Sequence, residues 1–287
     1  MISFARLHEE CLALKPAFDT LYPIQYRENM NITDLKLSAD KVAYELVPGD
    51  FKEEHPSELP VNVIGDGNCL PRCGSILAFG HESAHEEIRA RIIVEMVCNE
   101  SLYTDNTFLN KGVELPPKEK EHLSKTYTMF SEEYMYMNEV VTAQTTQRVF
   151  NQEAMHIRKL GSYMGIWQMF ALSTILKCKI RSIYPSVGAS LPRLLLDRTI
   201  LPACNGTMAE AKIMWSSTQQ DMSEKNWIPN HFVPIFHVGP VTEIDDFDFI
   251  NDNSFSLSDI VENDDILLSA LLDISSEGQD SKFAHLD

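Results

Sequence analysis

The segment Gly65-Asp66-Gly67-Asn68-Cys69-Leu70-Pro71 constrains this chain more than any other. It follows a short apolar run, Val61 to Ile64, read as a strand, and it ends where a helical pattern begins. Two glycines permit a tight turn, and the side chains of Asp66 and Asn68 suit side-chain-to-backbone hydrogen bonds within it. The turn delivers Cys69 to a helix N-terminus, among unpaired backbone N–H groups and the positive end of the helix dipole. A cysteine so placed has its pKa lowered from about 8.5 to roughly 3.5–7.5, which yields a nucleophilic thiolate. The same amides suit the oxyanion of an acyl-transfer intermediate. The competing reading is an inert buried thiol, the common fate of a free cysteine.

A histidine far downstream favours chemistry. Trp227-Ile228-Pro229-Asn230-His231-Phe232-Val233-Pro234-Ile235 reads as an apolar strand carrying one imidazole near its start. Thiol hydrolases need such a base, close in space and distant in sequence, to take the thiol proton and return it to the leaving amine.

Asp-Gly-Asn-Cys-Leu-x-Arg followed far downstream by Asn-His-Phe resembles the ovarian-tumour (OTU) family of cysteine deubiquitinases. The likeness runs through Gly80, a polar turn and Glu87-Ile88-Arg89, then through Gly165-Ile166-Trp167 and Ala171-Leu172-Ser173 into a strand over Ile180 to Tyr184. The resemblance implies an α+β, papain-like fold with a small central sheet packed between helices. It implies that Cys69 is the nucleophile, His231 the general base and Asp66 a catalytic-loop residue. Asp66, Gly67, Asn68 and Cys69 are the implied oxyanion hole, and ubiquitin or polyubiquitin the implied partner, with no cofactor and no metal. The family usually has an aromatic where Pro71 stands, and Ser or Ala at Cys73. Many members carry Asp or Asn two residues after the histidine, where this chain has Val233. Asn230, Asn226, Asp34 and Asp40 are the candidates to orient the imidazole instead.

A second resemblance, on Trp167, Ala171-Leu172, Ser182-Ile183-Tyr184-Pro185, Ile213-Met214-Trp215 and His231-Phe232, is to the vertnin family of regulatory proteins. It implies a binding or regulatory protein in which the fold has outlived the chemistry.

Composition narrows the field. The net charge of −18 disfavours a nucleic-acid surface, which needs clustered Lys and Arg. Six scattered cysteines (11, 69, 73, 98, 178 and 204) and a start without the apolar core of a signal peptide lead us to expect free thiols. The expected location is cytoplasmic or nuclear, with no membrane partner. We expect residues 1–57 to form a helical or irregular cap, with a first helix broken at Pro16. Residues 58–240 are the expected OTU-like domain. Residues 241–287 are an acidic tail expected to be disordered. Within the tail, residues 260–272 have the pattern of a docking helix for a partner. A Tyr/Met cluster over residues 127–137 reads as core, with a ubiquitin-binding insert as the alternative.

His81-Glu82-Ser83-Ala84-His85 matches the zinc-protease motif, which requires both imidazoles on one helical face. Ser83 and Glu86 have the spacing of a capping box that would start the helix near residue 84, leaving His81 outside it.

Overall fold

Helix α1 (Phe4–Pro16) starts on Ser3, whose side chain accepts the Arg6 amide, and turns Leu7, Cys11 and Leu14 to one buried face. It stops at Pro16, where the sequence places the break. Having no N–H to close the preceding turn, Pro16 ends the α-helix and the chain widens into a π-helical turn, Ala17–Leu21. The computed structural model describes residues 2–135, 140–204, 209–219 and 227–239. Short helices follow: α2 (Ile32–Leu35), capped by Asn31; α3 (Lys41–Leu46), capped by Asp40; and α4 (Gly49–Glu54). Next come strand β1 (Glu58–Pro60), α5 (Cys69–Phe79) and α6 (His85–Cys98). An all-helical stretch comprises α7 (Glu100–Tyr103), α8 (Asn106–Leu109), α9 (Pro117–Lys120), α10 (Leu123–Phe130), α11 (Glu132–Met135), α12 (Ala143–His156) and α13 (Ile166–Ile175). The chain closes with β2 (Lys179–Ile183), α14 (Ser190–Leu196), β3 (Arg198–Ile200), β4 (Glu210–Ser216) and β5 (His231–His237).

The five strands form one mixed sheet in the order β1-β5-β4-β2-β3, with only β2 and β4 parallel. Side chains on β5 alternate between its two faces, as strand geometry demands. Phe232 and Phe236 join the main core with α1, α5, α6 and α13, while Val233 and Ile235 join a second cluster with Ala43, Val47 and Phe51 of the N-terminal segment. This is the α+β layering of helices on both sides of a small sheet. On α6, Ile88, Ile92, Ile93, Met96 and Val97 are all fully buried, each contributing about 1.5–3 kcal/mol by leaving water. Gly74 lets α5, α6 and α13 meet, because a Cβ there would lie 2.7 Å from Leu172 and 2.8 Å from Ile88.

Three local expectations change. The strand ends at Pro60; Val61 makes only a bridge to Ala39 and donates to the Pro234 carbonyl. Beyond that point the edge of β5 faces the start of α5, so residues 62–68 leave the sheet. The capping box does not form: Ser83 Oγ pairs with His81, and the Ala84 amide at the start of α6 donates to Ser75 Oγ. The Tyr/Met cluster divides, with Tyr127 buried and Met129 46% exposed; Tyr136 and Met137 lie outside the described residues, as do Asn226 and the acidic tail. All six cysteines are free, and among the described residues no helix is long and apolar enough to cross a membrane.

Candidate active site

The loop between β1 and α5 is built by Asp66. Its carboxylate accepts the Asn68 amide at 2.9 Å and takes Arg72 through two bonds, Nε at 3.2 Å and Nη2 at 2.7 Å. Burial alone would raise the Asp66 pKa, but the hydrogen bonds from Arg72 and Asn68 hold it far below the usual carboxylate range. Arg72 also reaches Glu82, whose carboxylate accepts the Ile64 amide. The acidic member of the His-Glu-x-x-His motif therefore ties down the loop that leads to Cys69. His81 lies outside α6, and His85 Nδ1 faces the Glu82 carbonyl at 3.1 Å. Among the described residues no group of three or more His, Cys, Asp or Glu side chains could hold a metal.

A buried arginine locks the same loop from behind. Arg89, fully buried on α6, donates to the Gly67 carbonyl (3.0 Å), Asn68 Oδ1 (2.9 Å) and the carbonyls of Ile157 (2.7 Å), Lys159 (3.3 Å) and Ser162 (2.9 Å). Desolvation lowers its pKa to about 10, so it stays protonated at neutral pH. Asn68 Oδ1 takes a second bond from the Gly161 amide. Gly67, at φ +80°, packs so closely on Gly161 that a Cβ would overlap the Gly161 carbonyl oxygen. The role of Arg89 is missed at the level of sequence, where it reads only as part of a helix-opening pattern; an arginine amid Ile88, Ile92 and Ile93 on a buried face was the available signal.

Cys69 is the first residue of α5 and 2% exposed. Its sulfur lies in hydrogen-bonding reach of the amides of Phe232, Leu70 and Cys69 itself. The Phe232 contact brings the thiol to β5, one residue past His231. The expected lowering of the thiol pKa does not occur: burial, aided by the nearby Asp66 carboxylate, outweighs the three amides and pushes Cys69 up to about 11. Asn68 N–H is also removed from the expected oxyanion set, since it is spent on Asp66; the amides of Asp66, Gly67 and Cys69 remain.

His231 is 4% exposed, and its Nδ1 lies 3.8 Å from where a Cβ on Gly65 would stand. Burial lowers its pKa, opposed by the Asp40 charge, a hydrogen bond to the Val63 backbone and the Asp66 charge. Nδ1 is buried without a hydrogen-bond partner. The polar group nearest the ring is the Val63 backbone, which no sequence signal marks. Asn230 is instead paired with Thr218, accepting its amide at 2.9 Å. Asp34 pairs with Asn31, which bridges to His237 at the opposite end of β5. Of the candidates Asp34 and Asp40, Asp40 is the one whose charge reaches the imidazole.

An α+β domain with a helix-start cysteine and a strand-start histidine on an adjacent strand has the layout of an OTU domain. A family model described as "Vertnin, OTU domain" matches residues 60–216, more than half of the chain, and the chain belongs to this family. The match includes Cys69 and ends before His231. Vertnins from Mus musculus and Bos taurus are each 28% identical over 200 residues, and that of Danio rerio is 27% identical over 201. Each alignment covers 69% of this chain but only 25–28% of the relative, so the chain spans about a quarter of the length of the curated relatives it matches. Among solved structures, the OTU domain of OTUD1 aligns at 15% identity over 69% of this chain and 99% of that one, with a TM-score of 0.34. The viral OTU domain protease from Farallon virus aligns at 16% identity over 63% and 84% of the two chains, with a TM-score of 0.36.

Proposed function

We propose that the chain is a cysteine isopeptidase that removes ubiquitin or a ubiquitin-like modifier from lysine side chains, working in a reducing compartment of the cell. The observation that carries this reading is that Cys69 sulfur meets the Phe232 amide, one residue past His231, whose Nδ1 is buried without a partner. In the reaction, Nδ1 takes the Cys69 proton as sulfur attacks the isopeptide carbonyl carbon. The oxyanion settles on the amides of Gly67 and Cys69. Collapse of the intermediate breaks the C–N bond, and the imidazolium returns its proton to the departing lysine amine. Water, deprotonated by the same imidazole, then hydrolyses the thioester and restores the thiol. With the thiol raised and the imidazole lowered, both are neutral at rest, and the proton moves only when a substrate carbonyl is in place.

Ubiquitin bearing a C-terminal electrophile tests this directly. Wild type forms a covalent adduct; Cys69→Ala forms none, and His231→Ala slows labelling by about 10³-fold or more, because nucleophile and base act as one unit. A second reading, a ubiquitin-binding regulator without hydrolysis, is favoured by the burial of both groups. Binding of the probe by wild type with no adduct would establish that reading over the first.

A further inference from the structure

A cavity of about 370 Å³ opens on the helical side of β5, between α10–α13 and the approach to His231. Its walls include Glu153, Tyr163, Trp167, Tyr184, Trp215 and Trp227. Tyr163 stacks on Phe232 with ring centroids 5.8 Å apart, so one wall rests on the residue whose amide meets Cys69. Tyr184 meets Trp227 edge-on at 5.5 Å and Trp215 at 6.1 Å.

Three buried polar atoms around this space have no hydrogen-bond partner: Trp167 Nε1, Tyr163 OH and Glu153 Oε2. Trp167 is 1% exposed, and an indole N–H left unsatisfied at that depth is destabilising. The other Glu153 oxygen is held by Gln168 at 2.7 Å. Glu132 and Glu133 also line the cavity, against one imidazole, His156, which pairs with Glu133 at 2.6 Å. Burial raises the Glu153 pKa, contacts with the Ser131 and Gln168 side chains oppose that rise, and the charges of Glu133 and Glu132 add to it. A cation would relieve this excess of carboxylates, and aromatic faces attract cations. The Trp167 N–H in turn calls for an acceptor on the same ligand.

We propose that this cavity is a subsite for a basic residue of a bound polypeptide, its cationic head on Glu153 among the rings and a backbone carbonyl taking the Trp167 N–H. The subsite's role in presenting substrate rests on the reading given above, but its occupancy needs no hydrolysis. The chain has three tryptophans, Trp167, Trp215 and Trp227, and all of them line this cavity, so tryptophan emission excited selectively over tyrosine reports on it.

The test is a fluorescence titration of the full chain carrying Cys69→Ala, which separates this result from any failure of catalysis. N-acetyl-arginine N-methylamide should give a saturable change with an affinity about tenfold above that of its neutral citrulline counterpart, the size of one desolvated cation–π or ion-pair contact. Glu153→Gln, checked for folding by circular dichroism, should erase that preference. Equal responses to the arginine and citrulline compounds, or no saturable response to either, would overturn the proposal. Methylguanidine binding as tightly as the diamide would overturn the assignment to a polypeptide residue.

Discussion

A thiol held near pKa 11 by burial keeps its proton at neutral pH, and this separates Cys69 from a preformed thiolate. Alkylation of Cys69 by iodoacetamide, read by peptide mass spectrometry to exclude the exposed Cys204, should therefore still be rising above about pH 9. A plateau below neutrality would show a thiolate–imidazolium pair already formed. At His231 the carboxylate of Asp40 raises a pKa that burial lowers. Removing that charge leaves a weaker base, so Asp40→Asn should move the acidic limb of kcat/KM to lower pH. The rate should fall by less than about tenfold, since the Val63 backbone still contacts the ring and asparagine still caps α3. Asn230→Ala and Asp34→Ala should leave the profile unchanged, because Thr218 and Asn31 are their partners. A loss on Asn230→Ala comparable to that of His231→Ala would mean that the amide, not Val63, sets the imidazole.

Between residues and the whole lie the elements that hold the loop. Arg89 ties α6 to the turn before α5 and to residues 157–162 through five bonds. Arg89→Met leaves those buried carbonyls unsatisfied and should cost about 3–5 kcal/mol, seen as a lower Tm. Arg89→Lys should cost nearly as much, since a single ammonium cannot reach acceptors spread around a planar fork. A wild-type Tm for either variant would show that the loop stands without the arginine. These elements also mark how far the sequence could be read. The cysteine helix, the strand from His231 to His237 and the apolar stripe of α6 were legible because each is a local periodicity beside a turn signal. The end of β1 and the failed capping box were not. Both depend on which partner reaches a backbone amide first, Cys69 for Phe232 and Ser75 for Ala84, and that competition is settled by tertiary contacts. The thiol pKa was misjudged for the same reason: a helix start is visible in sequence, while depth of burial is not.

At the scale of the molecule, the N-terminal segment decides whether the sheet can exist with two dry faces. Leu7, Cys11 and Leu14 of α1 are buried in the main core, and Ala43, Val47 and Phe51 cover Ile183, Met214, Val233 and Ile235 on the second face. The polar sequence between α1 and β1 hid this, since the covering residues are few and spread over two short helices. Asp40, whose charge acts on His231, caps the first of those helices and donates its own amide to Pro60 at the end of β1. Cover and site are therefore one construction. A chain beginning at residue 58 would expose both apolar faces and lose the Asp40 charge. It should fail to give a cooperative thermal transition, while Phe51→Ala in the full chain should lower stability by about 3 kcal/mol with the transition still cooperative. If the shortened chain melted cooperatively and still reacted with the ubiquitin probe, the first 57 residues would be an accessory to a self-sufficient domain, and Asp40 would have no part in the chemistry.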